Sequence, residues 1–174
     1  MDFFEIIQNR HSIRNFLDKP VAPELIERIL QAANRAPSAG NLQAYEIFLI
    51  QGQKQRAALA QAAFGQEFLL QAPVSFVFCT HPARSEWRYS QRGTSLYTIQ
   101  DATIACTFAM LAAADLGLGS VWVGSFDEQE VSRAIGNPTG LYPVAILPVG
   151  YPAGEPTIKP RRTLDDLVHR MDES

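Results

Sequence analysis

The chain has 174 residues, 47% of them hydrophobic and 19% charged, ordinary values for one globular domain large enough to bury a core. A net charge of −3 and a pI near 5.6 leave no basic excess of the kind that general binding to nucleic acid or an anionic membrane requires. The two cysteines, Cys79 and Cys106, stand far apart in apolar settings, which reads as core thiols in a reducing compartment and not as a disulfide framework.

The opening residues, Met1 to Glu5, lack the charged and apolar regions of a secretory signal, so a cytoplasmic protein is expected. Asp2 and Glu5 have N-cap and N3 spacing, which predicts a short helix over Phe3–Gln8. That helix delivers Arg10-His-Ser-Ile-Arg14. Residues two apart in an extended segment share a face, so Arg10, Ser12 and Arg14 can address one anion, and the guanidinium fork matches phosphate oxygens in pairs. Taken alone, the stretch also reads as a solvated basic loop.

An apolar stripe of Leu25, Ile26, Ile29, Leu30 and Ala33 predicts a helix over Pro23–Asn34, which ends before Pro37. The loop Ala36–Gln43 follows, with Gly40 permitting close backbone approach to a ligand and Ser38, Asn41 and Gln43 supplying donors and acceptors. The same residue types are also what any turn uses. Tyr45–Gln51 and Val74–Thr80 read as strands covered on both faces. Between them, Gln53–Phe64 reads as an alanine-rich helix and Gln66–Gln71 as a further turn. His81–Gly93 shows no clean period and reads as a loop, a mobile cover over a site.

Ser95–Leu116 is the longest helical stretch and is uncharged between Asp101 and Asp115. A helix apolar all round is buried in a core or an interface, and in a domain this small a homodimer interface explains it well. With polar ends it falls short of the roughly 20 apolar residues that cross a membrane. The run Gly117–Gly124 invites a dinucleotide reading, but its third glycine is misplaced, and it follows a helix and enters a strand, the reverse of the required order. Val121–Val123 is then a third strand, Asp127–Ile135 a capped helix and Pro143–Val149 a fourth strand. Gly150–Pro160 is proline-rich and extended, Lys159, Arg161 and Arg162 form a second basic cluster, and Thr163–Met171 closes as a small helix.

Chemistry of the usual kinds is missing. His11, His81 and His169 are scattered with no ligand spacing, so no metal site is expected. There is no Gly-x-Ser-x-Gly elbow, P-loop or C-x-x-C motif. Anion-binding clusters at both ends of a chain without an evident nucleophile suit a protein whose chemistry belongs to a phosphate-bearing cofactor.

Arg10-His-Ser-Ile-Arg14 followed by Ala36-Pro-Ser-Ala-Gly-Asn-Leu-Gln43 resembles the nitroreductase family of FMN-dependent oxidoreductases. The likeness continues through Arg92-Gly93, Gln100-Asp101, Leu116–Gly124, Pro148–Pro152 and Lys159-Pro-Arg161, in order and over nearly the whole chain. Tyr45 and Ala44 stand where many relatives have Trp and Pro, and the chain is shorter than the well-known members before the long helix. The resemblance implies a single α+β domain over residues 1–174: a central, mostly antiparallel sheet flanked by helices, in an intertwined homodimer. Residues 150–174 would form a C-terminal extension that embraces the partner.

It implies that Arg10, Lys159 and Arg161, with Arg162 beside them, hold the FMN phosphate. His11 and Ser12 would line the ribityl and pyrimidine side, and Arg14 the N1–C2=O edge, where a cation stabilises charge on the reduced ring. Pro37, Ser38, Asn41 and Gln43 would come from the other subunit, and Trp122, Val123 and Gly124 would pass beside the isoalloxazine. No side chain need act as acid or base. The implied activity is ping-pong transfer from NADH or NADPH through FMN to a nitroaromatic, quinone or flavin; a non-catalytic flavin carrier or sensor is the alternative. Neither nucleic acid nor a membrane is an expected partner.

Overall fold

A computed structural model describes residues 2–171. The single-domain reading of 1–174 and the extension over 150–174 both take in residues outside the described ones. Helix α1 spans Phe3–Asn9, where the Asp2 carboxylate accepts from the Glu5 amide and Glu5 accepts from the Asp2 amide, closing the expected capping box. Helix α2 spans Pro23–Asn34 and buries Ile26, Ile29 and Ala33. Strand β1 is Tyr45–Ile50, α3 is Gln53–Ala62, α4 is Phe68–Gln71 and β2 is Val74–Thr80.

His81–Gly93 departs from its expectation as a loop: Pro82–Arg92 is helix α5. Its inward side is made of small or ambivalent residues such as Ser85 and Tyr89, so it lacks the apolar period from which a helix is recognised. A π-turn over Gly93–Tyr97 joins α5 to α6, Thr98–Asp115. Strand β3 is Gly119–Ser120, α7 is Glu128–Ala134, β4 is Tyr142–Gly150, and α8 is Leu164–Leu167. The last is shorter than the Thr163–Met171 expected: the Thr163 hydroxyl caps it, and Val168 is already extended.

The four strands form one antiparallel sheet in the order β1-β2-β4-β3. The third strand lies at Gly119–Ser120 and not at the expected Val121–Val123, of which only Val123 keeps an isolated pairing, for a definite reason. Gly119 pairs with Gly150, Ser120 with Val149, and Val123 with Ile146, so one register runs throughout and would set Val121 opposite Pro148. The Val123–Ile146 pair exchanges both of its backbone bonds at 2.9 Å. Bonded pairs alternate along an antiparallel ladder, so the next would need an N–H from Pro148, which has none.

Along β2 the side chains alternate. Val74, Phe76 and Phe78 face a core with α2 and α6, whereas Val77 and Cys79 face a second core with α3, α4 and α7. Helix α6 meets the sheet through Ala102, Ala105, Cys106, Ala109 and Ala113, small residues that permit close approach. Its other side is open, with Ile99 43% and Phe108 36% exposed. Contrary to the expectation from Ser95–Leu116, the helical run Pro82–Asp115 is long and apolar enough, by length and composition alone, to cross a bilayer. The alanine stripe packed on the sheet is the arrangement of a core helix.

Candidate functional site

The two basic clusters meet because a short clasp ties the segment after α1 to the sheet and to the chain leaving it. Ser12 bridges Ser120, and the Ile13 amide donates to the Ser120 carbonyl at 3.0 Å. Further on, Leu17 donates to the Tyr151 carbonyl at 2.9 Å, Ala153 donates to the Asn15 carbonyl at 3.0 Å, and the Lys19 ammonium sits 3.9 Å from the Tyr151 ring centre. A Cβ at Gly119 would stand 2.8 Å from the Ile13 side chain, so the clasp closes only over glycine.

Residues 154–161 are thereby laid alongside residues 10–15. Arg10, His11, Ser12, Arg14, Lys159 and Arg161 line one cavity of about 860 Å³. Burial, and then repulsion from Arg161, push the Arg10 guanidinium below its usual pKa. Like charges are gathered here in a partly dry place, which is the electrostatic setting of an anion site.

The loop after α2 turns through Ala39–Asn41, with Gly40 at φ 57°, Asn41 at 58° and Gln43 at 49°. Asp101, 2% exposed, holds this loop: its carboxylate accepts from the Ala39 amide at 2.9 Å and the Ala44 amide at 3.3 Å. Asp101 is thus an anchor. The Ser38 hydroxyl accepts from the Gln43 amide at 3.0 Å, and the Gln43 side chain donates to Asn34 Oδ1. Pro37 and Ser38 line a second cavity, of about 520 Å³, with Tyr97, Ile99, Gln100, Thr103 and Ile104. Neither lines the cavity of Arg10 itself, and Asn41 and Gln43 line neither of the two.

Trp122 lines a third cavity, of about 310 Å³, with Arg10, Thr103, Thr107, Met110 and Leu111. Val123 is buried and tied to Ile146. Gly124 follows it, exposed, and a Cβ there would lie 3.0 Å from the Trp122 indole nitrogen. Arg162 is turned elsewhere, donating to the Asp166 carboxylate at 2.5 Å and to its carbonyl at 2.7 Å. Arg10 and Leu111 are shared by the first and third cavities and Thr103 by the second and third, so the three form one groove along α6. Sequence reasoning missed this wall, although Tyr97, Gln100, Thr103, Thr107 and Leu111 recur at helical spacing.

The nitroreductase family model matches residues 7–66 and 62–151. A putative NADH dehydrogenase/NAD(P)H nitroreductase of Archaeoglobus fulgidus is 33% identical over 156 residues, covering 87% of this chain and 86% of its own. FMN reductase [NAD(P)H] of Bacillus subtilis is 29% identical, with 94% of this chain and 71% of that protein covered. Among solved structures, the NADPH:FMN oxidoreductase from Vibrio harveyi, complexed with NAD+, superposes with a TM-score of 0.88 at 28% identity, covering 98% of this chain and 77% of that one.

Proposed function

The chain belongs to the nitroreductase family, and on that premise we propose that it is an FMN-dependent NAD(P)H oxidoreductase whose flavin lies in the groove along α6. The observation that carries this reading is the convergence of Arg10, Lys159 and Arg161 on one cavity, where burial and, after it, repulsion from Arg161 lower the pKa of Arg10. A phosphate dianion removes that repulsion and fills the guanidinium forks, so the residues present fit the cofactor. When bound, FMN supplies a two-electron relay, in ping-pong order, between NADH or NADPH and an electron-poor acceptor such as a nitroaromatic, a quinone or free flavin.

The chain's own part is to bind and to orient. Arg10, Lys159 and Arg161 hold the phosphate, while His11 and Ser12 line the sugar and pyrimidine side. Arg14 stands at the ring edge where negative charge collects on reduction. Trp122, Val123 and Gly124 flank the ring. Arg162, in its bond to Asp166, steadies the tail beside Arg161 and reaches the phosphate only if that bond opens.

Pro37, Ser38, Asn41 and Gln43 of one copy serve the flavin held by the other copy. The exposed apolar faces of α1 and α6 support a homodimer. The reading includes one domain whose residues 150–174 reach across to the second copy, and a soluble, cytoplasmic setting.

Anaerobic mixing of the FMN-loaded protein with NADPH and, separately, NADH tests this function. Loss of the visible flavin absorbance with either nucleotide is expected. A protein that retains FMN and is bleached by neither is a carrier or sensor, and the oxidoreductase reading falls.

A further inference from the structure

Helix α5 carries Arg84, Arg88 and Arg92 at four-residue steps. Arg84 and Arg88 are one turn apart and share a side, whereas Glu86, the one acid in the helix, is two positions from each and points away. Arg84 is committed to structure, with its Nε donating to the Leu42 carbonyl at 3.1 Å. The other two are not neutralised: among the described residues neither Arg88 nor Arg92 has a carboxylate partner.

Both guanidinium groups are instead backed by aromatic rings. Arg88 sits 5.4 Å from the Tyr89 ring centre and Arg92 5.4 Å from that of Tyr97. The two tyrosines meet edge to face at 5.0 Å, and Arg92 Nε donates to the Tyr97 hydroxyl at 3.0 Å. The four side chains form one stacked array, seated on the Ser38–Asn41 loop. A Cβ at Gly40 would lie 2.6 Å from the Tyr89 hydroxyl and 2.9 Å from Arg88 Nη1, so only glycine admits them. Ser90, at φ 48° and ψ −138°, is held outside the helical region between the two arginines. Such strain gathers where a site is built. Side chains fixed in this way lose little freedom when a ligand arrives.

Tyr97 belongs at once to this array and to the mostly apolar cavity of Pro37, Ile99 and Ile104, which continues past Thr103 towards Trp122 and Arg10. A ligand that suits the whole arrangement has planar, stackable rings and a dianion held apart from them. Resting on the oxidoreductase reading above, we propose that the arginine–tyrosine array at the end of α5 recognises the adenosine 2′-phosphate of NADPH, and that Arg88 and Arg92 set a preference for NADPH over NADH. The two dinucleotides differ only in that phosphate, and a phosphate dianion matches two planar guanidinium forks.

The test compares adenosine 2′,5′-bisphosphate with adenosine 5′-monophosphate by calorimetric titration of the FMN-loaded protein, alongside anaerobic reduction by NADPH and NADH. Wild type is expected to bind the bisphosphate at least about tenfold more tightly, the scale of one charge-assisted contact. Arg88→Gln and Arg92→Gln should each lose most of that margin and slow reduction by NADPH, with FMN content and the NADH rate held within about twofold. Equal binding of the two nucleotides by wild type overturns the proposal. So does a loss in the variants that is the same for both nucleotides. If neither dinucleotide reduces the flavin, the oxidoreductase reading fails separately, and the nucleotide titration still decides the role of α5.

Discussion

Arg10 keeps its charge against two influences that favour the neutral form, burial first and Arg161 second. A bound phosphate relieves the second, so losing either arginine removes a charge-assisted contact worth on the order of 1.5–3 kcal/mol. Arg10→Ala and Arg161→Ala are expected to weaken FMN binding by roughly tenfold to a hundredfold in a fluorescence titration. Arg133→Ala, which removes a remote surface pair with Glu130, should leave it unchanged. Equal affinities in all three variants would contradict the phosphate assignment. Gly119→Ala probes the clasp that brings the two clusters together. Its methyl group would press on Ile13, and a loss of about 1–3 kcal/mol in denaturant unfolding is expected. Both arginines are visible in the sequence as residues, because a cluster of guanidinium groups is a local pattern. That they share a cavity is not, since it depends on Ile13, Asn15 and Leu17 finding backbone partners more than a hundred positions away.

At the scale of elements, the sequence is most legible where a side chain's partner is close by. The capping box of α1, the stripe of α2 and the apolar strands β1, β2 and β4 all stand close to their expected bounds. Failure came where the decisive group was distant or polar. The ladder of β3 is interrupted by what Pro148 lacks on another strand, and α5 has no apolar face because it lies on a glycine loop through arginine and tyrosine. Ser90 tests whether α5 is strained: Ser90→Gly should raise the unfolding free energy by about 1 kcal/mol, and a decrease would sink that reading.

The central strand makes a second prediction. Burial raises the Cys79 thiol from its ordinary 9.0 to about 12, with Glu46 adding to the effect, and burial also raises Cys106. A raised folded-state value favours the native protein fully below pH 9.0 and loses ground as pH climbs towards 12, because the unfolded thiol ionises first. Urea midpoints should therefore fall across that window, and less steeply in Cys79→Ala than in wild type.

For the whole molecule, the apolar surface is unevenly spread. Phe3 and Phe4 are 59% and 72% exposed, Ile158 is 76% exposed, and Ile99 and Phe108 lie open on α6. Patches of this kind mark interfaces. Sedimentation equilibrium is expected to return twice the mass of one chain, and Phe108→Glu to shift the protein towards monomer with loss of FMN. A wild-type monomer that holds FMN tightly would remove the second copy from the account. The fold class could be read only through the family resemblance that the ordered motifs carry, since strands alternating with helices by themselves suggest a parallel sheet. The groove along α6 could not, because a helix apolar on every side does not announce which face meets the sheet and which meets a ligand.

The clasp also has a bearing on biosynthesis. Ribosomes release Arg10 about 150 residues before Arg161, and β4, on which the tail is laid, also follows far behind Arg10. If the two clusters hold the flavin phosphate as proposed, a nascent polypeptide owns only half of that cradle until Arg161 has left the ribosome, and insertion of the flavin must wait for it.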